Sequence, residues 1–222
     1  MPTALVIGAS RGIGRELVRQ YLAAGWRVVA TARKAQDRDA LAAMGAHAWQ
    51  LDVTSADSVA ALGWNLDGEL PDVAILNAGV YGPRHDGFPT AADFDAVMHT
   101  NVLGAMRLLP ILAPMVAEAR GKLAVLSSRM GSIGARTSPS ASLYRASKAA
   151  LNSVLKDTAL AWGPKGAVCV AFHPGWVRTD MGGPGADLAV EDSVTGLRTT
   201  LAGLTAADNG GFFNYDGTPI AW

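Results

Sequence analysis

The sequence holds a single cysteine, Cys169, among its 222 residues. One thiol can neither close an internal disulfide nor build a cysteine cluster for zinc or iron–sulfur, so no metal site of that kind is expected. The reading is a reduced, cytoplasmic protein. Excess charge of one sign is also lacking, since 19 lysines and arginines balance 19 aspartates and glutamates. With no overall field to draw the chain onto nucleic acid or anionic lipid, a basic nucleic-acid platform is excluded, and neither nucleic acid nor membrane is expected as a partner. No charge-free run approaches the roughly 20 apolar residues of a membrane span. The first residues, Met1-Pro2-Thr3-Ala4-Leu5-Val6-Ile7, run straight into a strand pattern, so neither signal peptide nor anchor is expected. Glycine (25) and proline (11) are scattered and gather into no linker, and no internal repeat is found. What remains is a chain that is 50% apolar and of a length that suits one domain, residues 1–222, around one core.

Short β-branched runs alternate with longer stretches that are amphipathic at helical spacing, the pattern of parallel strands joined by crossover helices. Strands are expected at residues 4–7, 27–31, 48–51, 73–76, 123–127, 168–172 and 212–215. This predicts an α/β, doubly wound domain of about seven mostly parallel strands with helices on both faces. Val6-Ile7 and Val73-Ala74-Ile75-Leu76 are apolar without alternation, as central strands should be. The glycine-rich segment 179–187 is the loosest and is expected to act as a mobile lid.

Gly8-Ala9-Ser10-Arg11-Gly12-Ile13-Gly14 lies between the first strand and a helix expected to begin near Ile13, where a phosphate-binding turn must sit. Glycine permits a tight turn and brings backbone N–H groups close to a pyrophosphate, which the positive helix N-terminus stabilises. The G-x-x-x-G-x-G spacing departs from G-x-G-x-x-G, so a purely structural turn stands beside dinucleotide binding. The same letters fit a G-x-S-x-G nucleophile elbow, which would make the chain a serine hydrolase using Ser10. That reading needs a later acid and histidine. Only His173 lies late and near a strand end, whereas His47, His85 and His99 read as surface or packing histidines.

The second strand runs through Val28-Val29-Ala30-Thr31-Ala32-Arg33, with no acid where a fold preferring NAD places one for the ribose 2′-hydroxyl. Arg33 stands there, and Arg11 adds a second charge. Guanidinium groups pair bidentately with a 2′-phosphate, so NADP is expected over NAD; the plain alternative is two solvated surface arginines. Further on, Tyr144-Arg145-Ala146-Ser147-Lys148 opens a helical stretch through Trp162 and puts Tyr144 and Lys148 on one face. An ammonium one turn from a phenol favours the phenolate and should lower the tyrosine pKa, enabling proton exchange with a carbonyl or alcohol.

Other motifs follow in a set order: Leu51-Asp52-Val53, Asn77-Ala78-Gly79, Asn101, Ser127-Ser128, and Pro174-Gly175-Trp176-Val177-Arg178-Thr179. Together with the glycine turn and the Tyr–Lys pair, they resemble the short-chain dehydrogenase/reductase family across essentially the whole chain. Residues 127–133, 173–183 and 213–217 are similar to the C-factor-like, sniffer-like branch. The resemblance implies a Rossmann-type domain and NADP-dependent hydride transfer that interconverts a small-molecule carbonyl and an alcohol, the activity of a carbonyl reductase.

It also implies a tetrad. Tyr144 would be acid or base, Ser128 the donor to the substrate oxygen, Lys148 the holder of the ribose and of a lowered tyrosine pKa, and Asn101 the positioner of a water. Gly8, Ser10, Arg11, Gly12, Ile13 and Gly14 would carry the pyrophosphate. Arg33, Asp52 and Val53 would lie at the adenine side, and Asn77, Ala78, Gly79, Tyr144 and Lys148 along the cleft, with Pro174, Gly175, Val177 and Thr179 beside the nicotinamide. Two departures stand out. Ile7 replaces a threonine whose hydroxyl would brace the turn, and the loop 129–143 is longer than usual, leaving Ser132 as an alternative serine.

Simpler readings remain open. Asn77 and Asn101 could serve as turn or cap residues, Asp52 could cap the following helix, and His173 could be a structural hydrogen-bonder. Cys169 is expected to be a buried small hydrophobe. An NAD(P)-binding signalling or sensor protein with little turnover is the alternative function. The helix 143–162 carries more apolar surface than one sheet face needs, so a homodimer or homotetramer is expected through it.

Overall fold

A computed structural model describes residues 1–83 and 88–222; His85 lies outside the described residues. Seven strands form one sheet in the order β3-β2-β1-β4-β5-β6-β7: β1 Thr3–Ile7, β2 Arg27–Ala32, β3 His47–Gln50, β4 Val73–Leu76, β5 Lys122–Leu126, β6 Val168–His173 and β7 Phe212–Asn214. Each end lies within one residue of the sequence expectation, and every strand pair is parallel. The helices are α1 Gly12–Ala23, α2 Ala35–Ala43, α3 Ala56–Asn65, α4 Ala91–Met98, α5 Gly104–Glu118, α6 Ser142–Trp162 and α7 Val190–Gly203.

The unbroken apolar character of the central strands has a direct cause. In β1, Leu5 and Ile7 enter one core with Val59 and Leu62 of α3, Leu108 and Leu112 of α5, and Leu151 and Leu155 of α6. Ala4 and Val6 enter the opposite core with Leu17 and Tyr21 of α1, Leu41 of α2, and Val194 and Leu197 of α7. A strand covered on both faces has no solvent side on which polar residues could alternate. α4, a π-helical turn at His99–Leu103 and α5 form one continuous run, Ala91–Glu118, apolar and long enough to suit a membrane span; Leu108, Leu109, Leu112 and Val116 of that run are packed in the core. Cys169 is buried in β6, as expected, and burial pushes its thiol up to about 12.

Strand order reverses between β2-β1 and β4-β5, so the chain leaves β1 and β4 on opposite sides of the sheet. A crevice forms beyond the carboxyl ends of these strands.

Candidate active site

β1 ends at Ile7, and the chain turns at Gly8 with φ of 86°. The brace that Ile7 cannot supply comes from the neighbouring strand, where Thr31 Oγ1 accepts from the Gly8 N–H at 3.1 Å and the Thr31 carbonyl accepts from the Ala9 N–H at 2.7 Å. Asn77 closes the other side by donating from Nδ2 to the Gly8 carbonyl. A Cβ on Gly14 would lie 2.3 Å from that carbonyl oxygen, so Gly14 is a packing requirement beneath the turn. α1 then begins without a side-chain cap and without an acid in its first turn, which leaves its positive end to attract an anion.

A cleft of about 500 Å³ opens above this turn. Its walls gather Gly8, Ser10, Arg11, Gly12 and Ile13 from the turn, Arg33 beyond β2, and Asp52 and Val53 beyond β3. Asn77, Ala78 and Gly79 follow β4, Tyr144 and Lys148 come from α6, and Pro174 and Thr179 follow β6. Gly175 and Val177 are placed elsewhere: a Cβ on Gly175 would press on Leu188 and Tyr215, and Val177 is buried in a bridge to Leu188. The Asp52 carboxylate accepts from the Thr54 N–H and Oγ1 at 2.9 and 2.7 Å, which holds its pKa below the usual range. The cap of α3 is Ser55, not Asp52. Sequence reasoning missed Thr31, Thr54, Asp180 and Met181, which also line the cleft; only Thr31, one residue beyond the β1–β2 pairing, left a signal that strand register could have exposed.

At the far end, Tyr144 is 8% exposed and Lys148 4%. Lys148 Nζ donates to the Leu126 carbonyl at 2.8 Å and lies 5.7 Å from the Tyr144 ring centre. Gly79 permits this approach, because a Cβ there would come 3.3 Å from Nζ and 3.2 Å from Asn101 Oδ1. Burial takes the Lys148 pKa down to about 8. Burial likewise pushes the Tyr144 phenol up to about 12, against a hydrogen bond from Ser128 that lowers it and a contribution from Tyr81 that raises it. The expected lowering by the ammonium is not among the influences on this phenol, whose pKa desolvation sets. Tyr81 stacks on Tyr144 with ring centres 4.5 Å apart, covering the phenol.

Ser128 is buried beside Tyr144, and its Oγ also accepts from the Met130 N–H at 3.1 Å. Ser132 instead donates to the Ala221 carbonyl and accepts from the Ala135 N–H at 2.9 Å, tying the long loop to the C-terminal residues. Arg145 holds the same loop by donating to the Ser140 carbonyl at 2.6 Å. Asn101 sits in the π-helical turn, and its side chain is fully engaged: Oδ1 accepts from the Val80 N–H at 2.8 Å, and Nδ2 donates to the Val80 carbonyl at 2.8 Å and to Ser147 Oγ at 3.0 Å. It braces the Gly79–Val80 turn against α6.

At His173, Nδ1 is buried with no hydrogen-bond partner among the described residues. Burial and the nearby Arg129 take its pKa down to about 4. A catalytic histidine needs an orienting partner on that nitrogen, which weighs against the Ser10 hydrolase. The segment 179–187 is pinned as well as glycine-rich: the Arg178 N–H donates to the Leu188 carbonyl at 2.9 Å and the Leu188 N–H to the Trp176 carbonyl at 3.1 Å, Trp176 Nε1 donates to the Gly182 carbonyl at 3.0 Å, and Arg11 pairs with Asp180.

Residues 2–187 match the family described as short chain dehydrogenase. The chain is 42% identical to C-signal of Myxococcus xanthus over 153 residues, 68% of this chain and 92% of that protein. Among solved structures, the carbonyl reductase Sniffer of D. melanogaster superposes with a TM-score of 0.91 at 30% identity, covering 100% of both chains. The NADPH-bound carbonyl reductase from chicken fatty liver gives 0.89 at 32%, covering 100% of this chain and 99% of the other.

Proposed function

The chain belongs to the short-chain dehydrogenase/reductase family, in the branch of C-signal and Sniffer, and we propose that it is an NADP-dependent oxidoreductase that interconverts a small-molecule carbonyl and an alcohol. The observation that carries this reading is that Tyr144 and Lys148 line the same cleft as the glycine turn, with Ser128 buried beside the phenol and lowering its pKa. The residues present fit the dinucleotide. The uncapped start of α1 and the φ of 86° at Gly8 suit a pyrophosphate, while Arg11 and Arg33 line the cleft where a ribose 2′-phosphate needs guanidinium partners. The NADPH bound to the chicken carbonyl reductase and the NADP bound to a similar carbonyl reductase from Pseudomonas aeruginosa PAO1 support that choice. When bound, the nicotinamide supplies or takes the hydride.

The chain's own residues orient the substrate and move the proton. A phenol at about 12 is protonated at neutral pH, so Tyr144 is set to donate to a carbonyl oxygen that gains charge. Ser128, buried beside that phenol, gives the same oxygen a second partner. Lys148 places a desolvated cation beside the phenol and would hold the ribose. Asn101 fixes the turn at Gly79 and Val80 against α6, keeping Lys148 in reach. The side-chain hydrogen bonds of Asn101 support bracing, so a relay water at Asn101 would be held by its backbone carbonyl.

A carbonyl-substrate panel followed by NADPH absorbance tests the reading. Tyr144→Phe should abolish reduction and keep NADPH affinity; an output that persists in this variant would favour the sensor alternative. The balanced charge and the buried, reduced Cys169 support a cytoplasmic setting, and the single seven-stranded sheet supports one domain over residues 1–222. For self-association through α6 the support is narrower than its sequence suggests, because Leu151, Leu155 and Ala159 are packed in the core while Leu160 stays 66% exposed. Sedimentation as a monomer at micromolar protein would discard a homodimer or homotetramer.

A further inference from the structure

Arg11 and Asp180 stand 169 residues apart and meet across the mouth of the cleft, where Arg11 Nη1 donates to Asp180 Oδ2 at 2.6 Å. Arg11 belongs to the glycine turn, and Asp180 to the segment that follows β6. The same two segments touch at a second point, since a Cβ on Gly12 would lie 3.1 Å from Thr179 Cγ2. Both charged side chains line the cleft and also a second cavity of about 770 Å³ that adjoins it, and Arg33 lines both as well. The mouth therefore sets the Asp180 carboxylate on the Arg11 guanidinium, with Arg33 on the same walls. Of the acids on these walls, Asp180 is hydrogen-bonded to Arg11, whereas Asp52 accepts from Thr54 and feels Arg33 only as a nearby charge.

We infer that Asp180 determines cofactor specificity: its carboxylate occupies on Arg11 the place that a ribose 2′-phosphate takes. A 2′-phosphorylated dinucleotide displaces it and releases the strap over the cleft, whereas one with a free 2′-hydroxyl does not. This rests on the NADP reading of the same site. The chemistry favours the exchange because a phosphate brings more negative charge and more acceptor oxygens than a carboxylate, and it recruits Arg33 at the same time. The side chains of Arg11 and Asp180 are 76% and 73% exposed, so the pair is screened and yields readily.

The test is calorimetric titration of NADPH and of NADH into the wild type, Asp180→Asn, Arg11→Ala and the double variant. Asp180→Asn is expected to tighten NADPH up to about fivefold, the equilibrium factor of one exposed pair, and to leave NADH within about twofold. The gain should vanish in the Arg11→Ala background and shrink as salt is raised. Without nucleotide, tryptic cleavage after Arg178 should be faster in Asp180→Asn than in the wild type. Weaker NADPH binding in Asp180→Asn would overturn the proposal by showing that the acid aims Arg11 at the phosphate. It is equally overturned by a like change for both dinucleotides, by a gain that survives Arg11→Ala, or by unchanged cleavage. If the wild type binds neither dinucleotide, the cofactor reading fails first and this inference with it; if it binds both and Asp180→Asn changes nothing, only the inference fails.

Discussion

The two ends of the cleft are built from different physics. At the glycine turn, backbone donors and the N-terminus of α1 meet exposed arginines, Arg11 and Arg33, whose charges are softened by solvent. At the Tyr144 end the polar groups are buried: Lys148 is 4% exposed, its Nζ is fixed on the Leu126 carbonyl, and a stacked ring covers the phenol. A screened charge can exchange partners at little cost, whereas a desolvated one is locked in place and its titration is moved by whole pKa units. The first end is suited to admitting and sorting a ligand, and the second to holding a proton until it is needed.

Lys148→Met tests that contrast most severely. Turnover should fall about 10³-fold while the melting temperature holds or rises, because a desolvated cation is replaced by an apolar chain of similar length; a comparable loss of stability would mean that the buried end is structural rather than chemical. A change of pH should separate the ends next. Burial sets Lys148 at about 8, so its cation is present below that value and lost above it, while Tyr144 at about 12 stays protonated. Turnover in the reducing direction is expected to fall as pH rises above about 8, and a flat profile from about pH 6 to pH 10 would break the assignment.

Arg33→Ala should weaken NADPH about tenfold and leave NADH unchanged in direct titrations, as the loss of one charge-assisted contact predicts. An unchanged ratio removes the 2′-phosphate argument. Tyr81→Ala should have the smallest effect, a fall of several-fold in turnover, with a phenol that returns toward its ordinary pKa once water reaches it, read from the pH profile. Tyr81→Phe should restore both, since it keeps the stack.

The strands were legible because burial on both faces removes polar alternation, and Val73-Ala74-Ile75-Leu76 is the plainest case. The glycine turn was legible because strand, turn and helix are contiguous in sequence. What escaped was whatever is joined at long range. Thr31 braces a turn that starts 23 residues earlier, Ser132 is tied to Ala221, and Arg11 finds Asp180 169 residues on. The bracing role of the Asn101 side chain escaped for the same reason: its spacing says nothing of Val80 and Ser147, which a π-helical turn brings to it. The Tyr–Lys spacing correctly placed both groups on one face but could not weigh burial against charge, and burial prevailed.

The central position of β1 also governs the order in which the protein can be made. Ala4 pairs with Val28 on one side and with Val73 on the other, and Asn77 closes the turn at Gly8. A chain emerging from the ribosome must therefore carry β1 with one edge open until residues beyond 73 have been synthesised. Non-local parallel pairing of this kind forms slowly and exposes strand edges meanwhile. Nascent chains halted before β4 should be the ones that chaperones hold and that aggregate, and those halted after residue 79 the first to contain a finished phosphate cradle.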